Sequence, residues 1–203
     1  MKATLLLIVF ALALPLTAFA DGITLTNRFG SIAISNAGIT SMHSELMTFN
    51  GIAASHGHSL GAVTFSTGAL ISGSLAAGGT FSSVGSTFVV TGRANGVPKG
   101  TIFTGAFTGP IMWTLVSNHG TLTYTLSGTV SGMLYTGRTV SATVTETIFT
   151  TSQQLNKGVG HIGGGTIGFA TPEPGTLGML GTGLAAIAGL FKFKFFRAEQ
   201  HPL

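Results

Sequence analysis

The chain has 203 residues, a formal net charge of +4, and charged side chains at only 7% of its positions. These charges are too sparse to form the basic surface that a nucleic-acid-binding protein requires. Cysteine is absent, which excludes disulfides, a thiolate nucleophile and cysteine-based metal sites.

Residues 1–20 have the three parts of a secretory signal peptide. Lys2 supplies the positive charge, Leu5 to Leu14 is an unbroken apolar run, and Pro15 precedes the small residues Ala18 and Ala20 of a cleavage site. Cleavage after Ala20 would start the mature chain at Asp21. The pattern predicts an N-terminal signal helix and export across a membrane.

Residues 21–157 are predicted to form one all-β extracellular domain. Thr121 to Leu126 and Thr139 to Val144 alternate apolar with hydroxyl side chains, as strands do when one face is buried and the other solvated. Strands of this kind belong to antiparallel sheets. Similar short segments recur about every ten residues: 23–27, 31–35, 62–66, 80–83, 87–91, 101–107 and 111–117.

Nine or more short strands, with no amphipathic helix between the termini, favour an antiparallel β-sandwich, with a barrel-like arrangement as the alternative. A solenoid fits less well because the glycines follow no fixed period. Trp113, in the apolar segment from Ile111 to Leu115, is interpreted as a core aromatic. If it pointed outward, it would instead offer a stacking surface to a sugar ring.

Catalytic residue types are scarce in this domain. Past Asp21 its only carboxylates are Glu45 and Glu146, so a glycosidase of the two-carboxylate type would have to use both. Glu146 is in phase with the inward residues of its strand, so we expect it either to lie near the open end of the sheet or to pair with a cation such as Arg93 or Arg138, because an unpaired buried charge is costly. The alternative is a catalytic acid with a perturbed pKa.

Two i, i+2 pairs are weak candidates for a metal site. His56 and His58 would lie on one side of an extended segment, as would His43 and Glu45. If the segments were neighbours, they could offer three nitrogens and one oxygen to a zinc-like ion. The surrounding Gly, Ser and Ala favour solvated loop histidines instead, so no metal, cofactor or catalytic residue is predicted.

Residues 158–171 are interpreted as a glycine-rich linker. Gly158 to Gly163 has the spacing of a dinucleotide-binding fingerprint, but that fingerprint requires a following helix, and here more glycines and a proline-bearing segment follow. A flexible tether between the domain and a membrane anchor is the interpretation that remains.

The C-terminal segment, residues 172–197, has three parts in a fixed order. Pro172, Glu173 and Pro174 precede an uncharged run at 175–191, and a basic cluster of Lys192, Lys194 and Arg197 follows before a short tail at 198–203. The run is just long enough to span a bilayer as a transmembrane helix, and the basic cluster would remain cytoplasmic.

This arrangement resembles the PEP-CTERM sorting signal of exported Gram-negative proteins. The resemblance implies processing by an exosortase, a membrane-embedded enzyme, near the Pro-Glu-Pro motif. It also implies a role in exopolysaccharide production, biofilm matrix or surface display.

The sequence therefore predicts an exported cell-surface or matrix protein with a structural or adhesive role, held at least transiently in the inner membrane. Extracellular polysaccharide is a further expected partner. The competing hypothesis is a membrane-anchored carbohydrate-binding module or hydrolase.

Overall fold

The computed structural model describes residues 22–55 and 57–170. They form fourteen strands and one short helix: β1 Thr24–Arg28, β2 Ser31–Ser35, β3 Gly38–Met42, β4 Ser44–Phe49, β5 Ile52–Ala53, β6 Gly61–Ser66, β7 Leu70–Ser74, β8 Gly78–Phe81, β9 Thr87–Gly92, β10 Gly100–Phe107, β11 Ile111–His119, β12 Thr121–Leu134, β13 Thr139–Thr150, α1 Ser152–Asn156 and β14 Val159–Ala170.

Eight of these strands close an antiparallel barrel. Around the ring, β1 pairs with β4, followed by β6, β9, β10, β12, β13 and β14, and β14 pairs again with β1. The strands follow one another around the ring in chain order, so the topology is up-and-down. A closed ring leaves none of these eight strands as an unpaired edge along its whole length.

Five of the remaining six strands extend this wall, and β5 forms a two-residue pairing with β4. β2 and β3 continue β1 and β4, while β7, β8 and β11 continue β6, β9 and β10 toward the same end. The breaks between these consecutive strands are local irregularities of the backbone. Phe29 and Gly30 both have positive φ, at 60° and 99°, and His43 has φ 59°. Each long strand therefore bends without leaving the sheet.

Large side chains fill the barrel interior. Phe88 packs against the rings of Phe65, Phe103 and Phe107 at centroid distances of 6.1, 6.2 and 5.9 Å. An eight-stranded barrel has an interior that side chains can just fill. Nearly every strand contributes a side chain to the buried apolar set. The barrel therefore encloses one continuous hydrophobic core.

The all-β, antiparallel prediction is confirmed, and every strand segment proposed from the sequence overlaps an observed strand. The preferred sandwich is replaced by the barrel that was its alternative. Sequence alternation reports which side of a sheet is buried, and it is the same for two stacked sheets and for one sheet closed on itself.

The predicted linker is wrong. Val159–Ala170 is β14, which pairs with β13 over most of its length and with β1 and β2 on its other edge. The domain therefore continues to Ala170 instead of ending at 157. Glycine-rich composition indicates flexibility only where no neighbouring strand satisfies the backbone, and here two neighbours do.

Several predicted features lie outside the described residues. These are the signal helix with Ala18 and Ala20, His56, the Pro172-Glu173-Pro174 motif, the apolar run at 175–191, and the cluster of Lys192, Lys194 and Arg197. The described part of the chain contains no helix with the length and hydropathy needed to span a bilayer.

Candidate functional site

A polar cluster lies inside the barrel wall where β13, β14, β1 and β4 adjoin. Glu146 and Asn27 are both opposite Gly165 in the strand registers, so the three residues form one row across the sheet. The side chains of Glu146, Asn27 and Ser44 have no solvent exposure. A buried carboxyl group in a barrel without a paired cation is the most unusual chemical feature of this domain.

The contacts within the cluster are few. Asn27 Nδ2 donates to Ser44 Oγ at 2.7 Å and to Glu146 Oε2 at 3.0 Å. Glu146 Oε1 and Asn27 Oδ1 have no hydrogen-bond partner among the described residues. The carboxyl group is thus held by a single donor, which is too little to compensate for burying a full negative charge.

Gly165 is what allows the two longer side chains to meet. It lies between Asn27 and Glu146 in the row, and a Cβ atom built on it would overlap Glu146 Oε2 and Asn27 Oδ1. The absent side chain leaves the space that the carboxyl and amide groups occupy. Any larger residue would have to displace one of them.

Burial raises the pKa of Glu146 to about 7, and the smaller opposing effect of the Asn27 hydrogen bond does not restore its ordinary value of 4.5. The neutral acid is therefore well populated at neutral pH. Protonation removes the buried charge and adds an O–H donor to the cluster. The cluster can hold or release a proton, but its carboxyl group is sealed from any substrate outside the wall.

The predicted partner of Glu146 is wrong. No ion pair links Glu146 to Arg93 or Arg138 within the described chain, and both arginines are exposed. The Arg93 guanidinium instead donates to Ser59 Oγ. Asn27 and Ser44 were missed, although Asn27 is in phase with buried Leu25 and Ser44 with buried Leu46, so strand parity alone would have placed them inside.

The weak metal candidates do not assemble in the described residues. His43 is exposed at the bend between β3 and β4, His58 is exposed in the loop before β6, and Glu45 is half-buried on β4. Within 22–55 and 57–170 no group of three or more His, Asp or Glu side chains is placed to hold a metal ion. His56 lies outside those residues.

Glu45 and Glu146 do not form a catalytic pair. Glu146 points into the barrel, whereas Glu45 lies between the inward residues Ser44 and Leu46 and so points outward. The barrel wall separates the two carboxyl groups. A two-carboxylate glycosidase requires both groups to flank one bond of the substrate.

Trp113 is a core residue, as predicted. Its ring is 1% exposed and stacks on Tyr124 at a centroid distance of 4.3 Å. Trp113 Nε1 donates to Leu75 O at 2.9 Å, and the Tyr124 hydroxyl donates to Ala76 O at 2.7 Å. The two aromatic residues thereby hold the β7–β8 turn against the wall, and neither of these two rings is open to a sugar.

The outer surface carries a second feature, which we call the hydroxyl face. Its central row consists of one outward Ser or Thr from each of five neighbouring strands: Ser127, Thr145, Thr166, Thr26 and Thr48. Parallel rows contain Thr125 with Thr147, and Thr129 with Thr143. Neighbouring strands are about 4.8 Å apart, so the central row extends over roughly 19 Å.

A groove of about 440 Å³ borders the hydroxyl face. Pro110 and Met112 line its apolar side, and Ser127, Thr129 and Thr143 line its hydroxyl side. It lies where the wall is interrupted between β10 and β11. A concave surface of mixed apolar and hydroxyl character is open to solvent here, in contrast to the sealed interior.

No protein-family model, curated protein or solved structure matches this chain.

Proposed function

We propose that this chain is an exported cell-surface or extracellular-matrix protein with a structural or adhesive role in a polysaccharide-rich matrix. In this proposal the N-terminal helix directs export. The PEP-CTERM-like segment anchors the chain through a transmembrane helix until an exosortase processes it. The observation that carries the adhesive role is the hydroxyl face with its central row on five strands.

The chemistry of that face supports contact with a hydroxyl-rich polymer. On their outward sides β12 and β13 carry no charged residue and β14 carries only His161, while β1 carries Arg28 and β4 carries Glu45. Each contact between a protein hydroxyl and a polymer hydroxyl replaces a hydrogen bond that the protein hydroxyl made to water, so its net contribution to binding is small. A repeated array can still retain a long polymer, because many weak contacts to one chain act together.

A hydroxyl-deletion experiment tests the adhesive role. Thr145→Val with Thr166→Val removes two central hydroxyls while preserving side-chain shape and strand preference. We expect the double variant to keep its melting temperature and to lose most of its co-sedimentation with the host exopolysaccharide. Thr101→Val with Thr104→Val, exposed on β10 and outside these rows, is the matched control and should bind as the parent does.

The groove favours a second candidate, a carbohydrate-binding module for a defined glycan. Its volume lies within the range of small-molecule sites. Saturable binding of a short oligosaccharide that Met112→Ala abolishes would favour this candidate over diffuse adhesion. Release of reducing ends that Glu45→Gln abolishes would favour a hydrolase.

A further inference from the structure

Both ends of the described chain lie at one end of the barrel, which we call the terminal rim. Phe169 N donates to Ile23 O at 2.9 Å, so the first strand begins beside the point where the last strand ends. The loops 93–99 and 135–138 are at this end too, because Ser141 is opposite Ala170 and Tyr135 N donates to Ile102 O. The opposite end has tight turns and α1.

The terminal rim concentrates the positive charge of the domain. Arg93, Lys99 and Arg138 are all exposed on two of the loops at this end. The other charged residues of the described chain are elsewhere: Arg28, Glu45 and Glu146 within strands, and Lys157 at the opposite end. Among the described residues the rim therefore carries three cations and no anion.

Exposed amphipathic and apolar side chains accompany these cations. Tyr135 is 51% exposed, Met133 beside it is 52% exposed, and Ile52 near the 93–99 loop is 39% exposed. Tyrosine next to Lys and Arg is the combination that proteins place at the headgroup level of a membrane. The hydroxyl face has no such combination.

The anchor proposed above follows this end of the barrel directly in the chain. Ala170 is the last residue of β14, and the uncharged run begins at Gly175. Five residue steps cover at most about 17 Å. The barrel therefore ends five residues before the proposed anchor in the chain, whereas the linker expected from the sequence would have separated them by its full length.

We propose that the terminal rim binds the surface of an anionic phospholipid leaflet, with Arg93, Lys99 and Arg138 against the headgroups. This inference rests on the proposed anchoring, and it adds an orientation. The hydroxyl face, on the side wall, then remains free for polysaccharide while the barrel stands on the membrane. Each Lys or Arg near an anionic surface contributes about 1 kcal/mol.

The absence of cysteine allows a direct test on the full chain. A single cysteine is introduced at an exposed site, by Thr136→Cys on the rim or by Gln153→Cys on α1 at the opposite end, and labelled with a fluorophore. Quenching by spin-labelled headgroups is measured in vesicles of phosphatidylcholine, with and without an equal amount of phosphatidylglycerol. We expect the rim label to be quenched more strongly with phosphatidylglycerol than without it, and the α1 label to be quenched little in both.

Charge variants provide the matched comparison. Lys99→Gln with Arg138→Gln removes two rim cations. We expect the binding constant of the rim for the anionic surface to fall by roughly 30-fold. Arg28→Gln with Lys157→Gln removes the same charge elsewhere and should leave quenching unchanged. Equal quenching of the rim and α1 labels would overturn the inference. Equal quenching of the rim label in the rim variant and in the control variant would overturn it as well.

The outcomes also separate this inference from the anchoring that it rests on. If the chain floats with vesicles while the rim label is unaffected by phosphatidylglycerol, anchoring stands and rim docking is wrong. If the chain does not float with any vesicle, the anchoring proposal fails and rim docking fails with it. Loss of binding to an anionic polysaccharide in the rim variant, without any lipid dependence, would identify the rim as a glycan site instead.

Discussion

Glu146 couples the stability of the barrel to pH through one proton. Its pKa of about 7 in the folded chain is above its ordinary value of 4.5, so between these values the folded state binds more protons than the unfolded state. The stabilisation from the neutral acid is fully present below about pH 4.5 and is lost as the pH rises through 7. The loss amounts to about 3 kcal/mol, at 1.36 kcal/mol per pKa unit.

We therefore expect the free energy of unfolding to fall from pH 5 to pH 8 more steeply in the parent than in Glu146→Gln. Glutamine resembles the neutral acid in shape and cannot ionise, so the variant lacks this contribution to the slope. Denaturant titrations of both proteins at each pH give the difference directly, and the other titrating groups cancel. A difference that stays constant with pH would show that Glu146 does not titrate in this range.

Gly165 should tolerate no side chain. Gly165→Ala places a methyl group against the Glu146 carboxyl and Asn27 amide groups, and overpacking of this kind costs typically 1–3 kcal/mol. Gly168→Ala, on the same strand, meets nothing within 4 Å and should leave stability unchanged or slightly raised. Thermal melts of the two variants test this, and equal melting temperatures would contradict the packed geometry of the cluster.

At the scale of elements, the β7–β8 hairpin depends on the wall for its position. Tyr124 and Trp113 each donate one hydrogen bond to its turn, at Ala76 O and Leu75 O. β7 is mostly exposed, with Ile71 at 62%, whereas β8 is half-buried and ends at the buried Phe81. Phe81 is the one buried residue of the two strands, so the hairpin should be the first of the extended strands to open.

Tyr124→Phe should loosen that hairpin selectively. Loss of the hydroxyl removes the Ala76 contact and lowers overall stability by about 1 kcal/mol, while the ring stacking on Trp113 is retained. Amide hydrogen exchange should accelerate in residues 70–81 and remain slow in β12 and β13. Uniform acceleration across the barrel would indicate that the turn is not held by this bond.

At the scale of the whole molecule, β14 closes the barrel. A fragment of residues 22–170 should fold into a β-rich monomer, since it contains all eight strands of the ring. A fragment ending at 157 should fail to fold, because β13, β1 and β2 would lose their partner along β14 and the edges would be open. Circular dichroism and size-exclusion chromatography distinguish the two. A well-folded shorter fragment would restore the linker interpretation.

The sorting proposal makes a separate prediction about mass. In a host with the processing enzyme, the mature protein should begin at Asp21 and end near Pro174, because the signals at both ends are removed. Intact-mass spectrometry of the surface protein tests it. A surface form that still contains Lys192 and Arg197 would leave a retained anchor in place of sorting.

The sequence by itself determined the all-β class, most strand positions and the inward direction of Glu146 and Trp113. Those features depend on local alternation and composition, which each segment displays on its own. It also supplied the two terminal signals, which remain predictions about export and anchoring.

Only the tertiary structure decided barrel closure, the role of β14 and the neighbours of Glu146. Asn27 and Ser44 lie more than a hundred positions before Glu146 in the chain, and Gly165 joins them through strand register, a long-range property that alternation does not encode. The gathering of Arg93, Lys99 and Arg138 at one rim follows from the same cause, because it is the closed up-and-down topology that brings alternate loops to one end of the barrel.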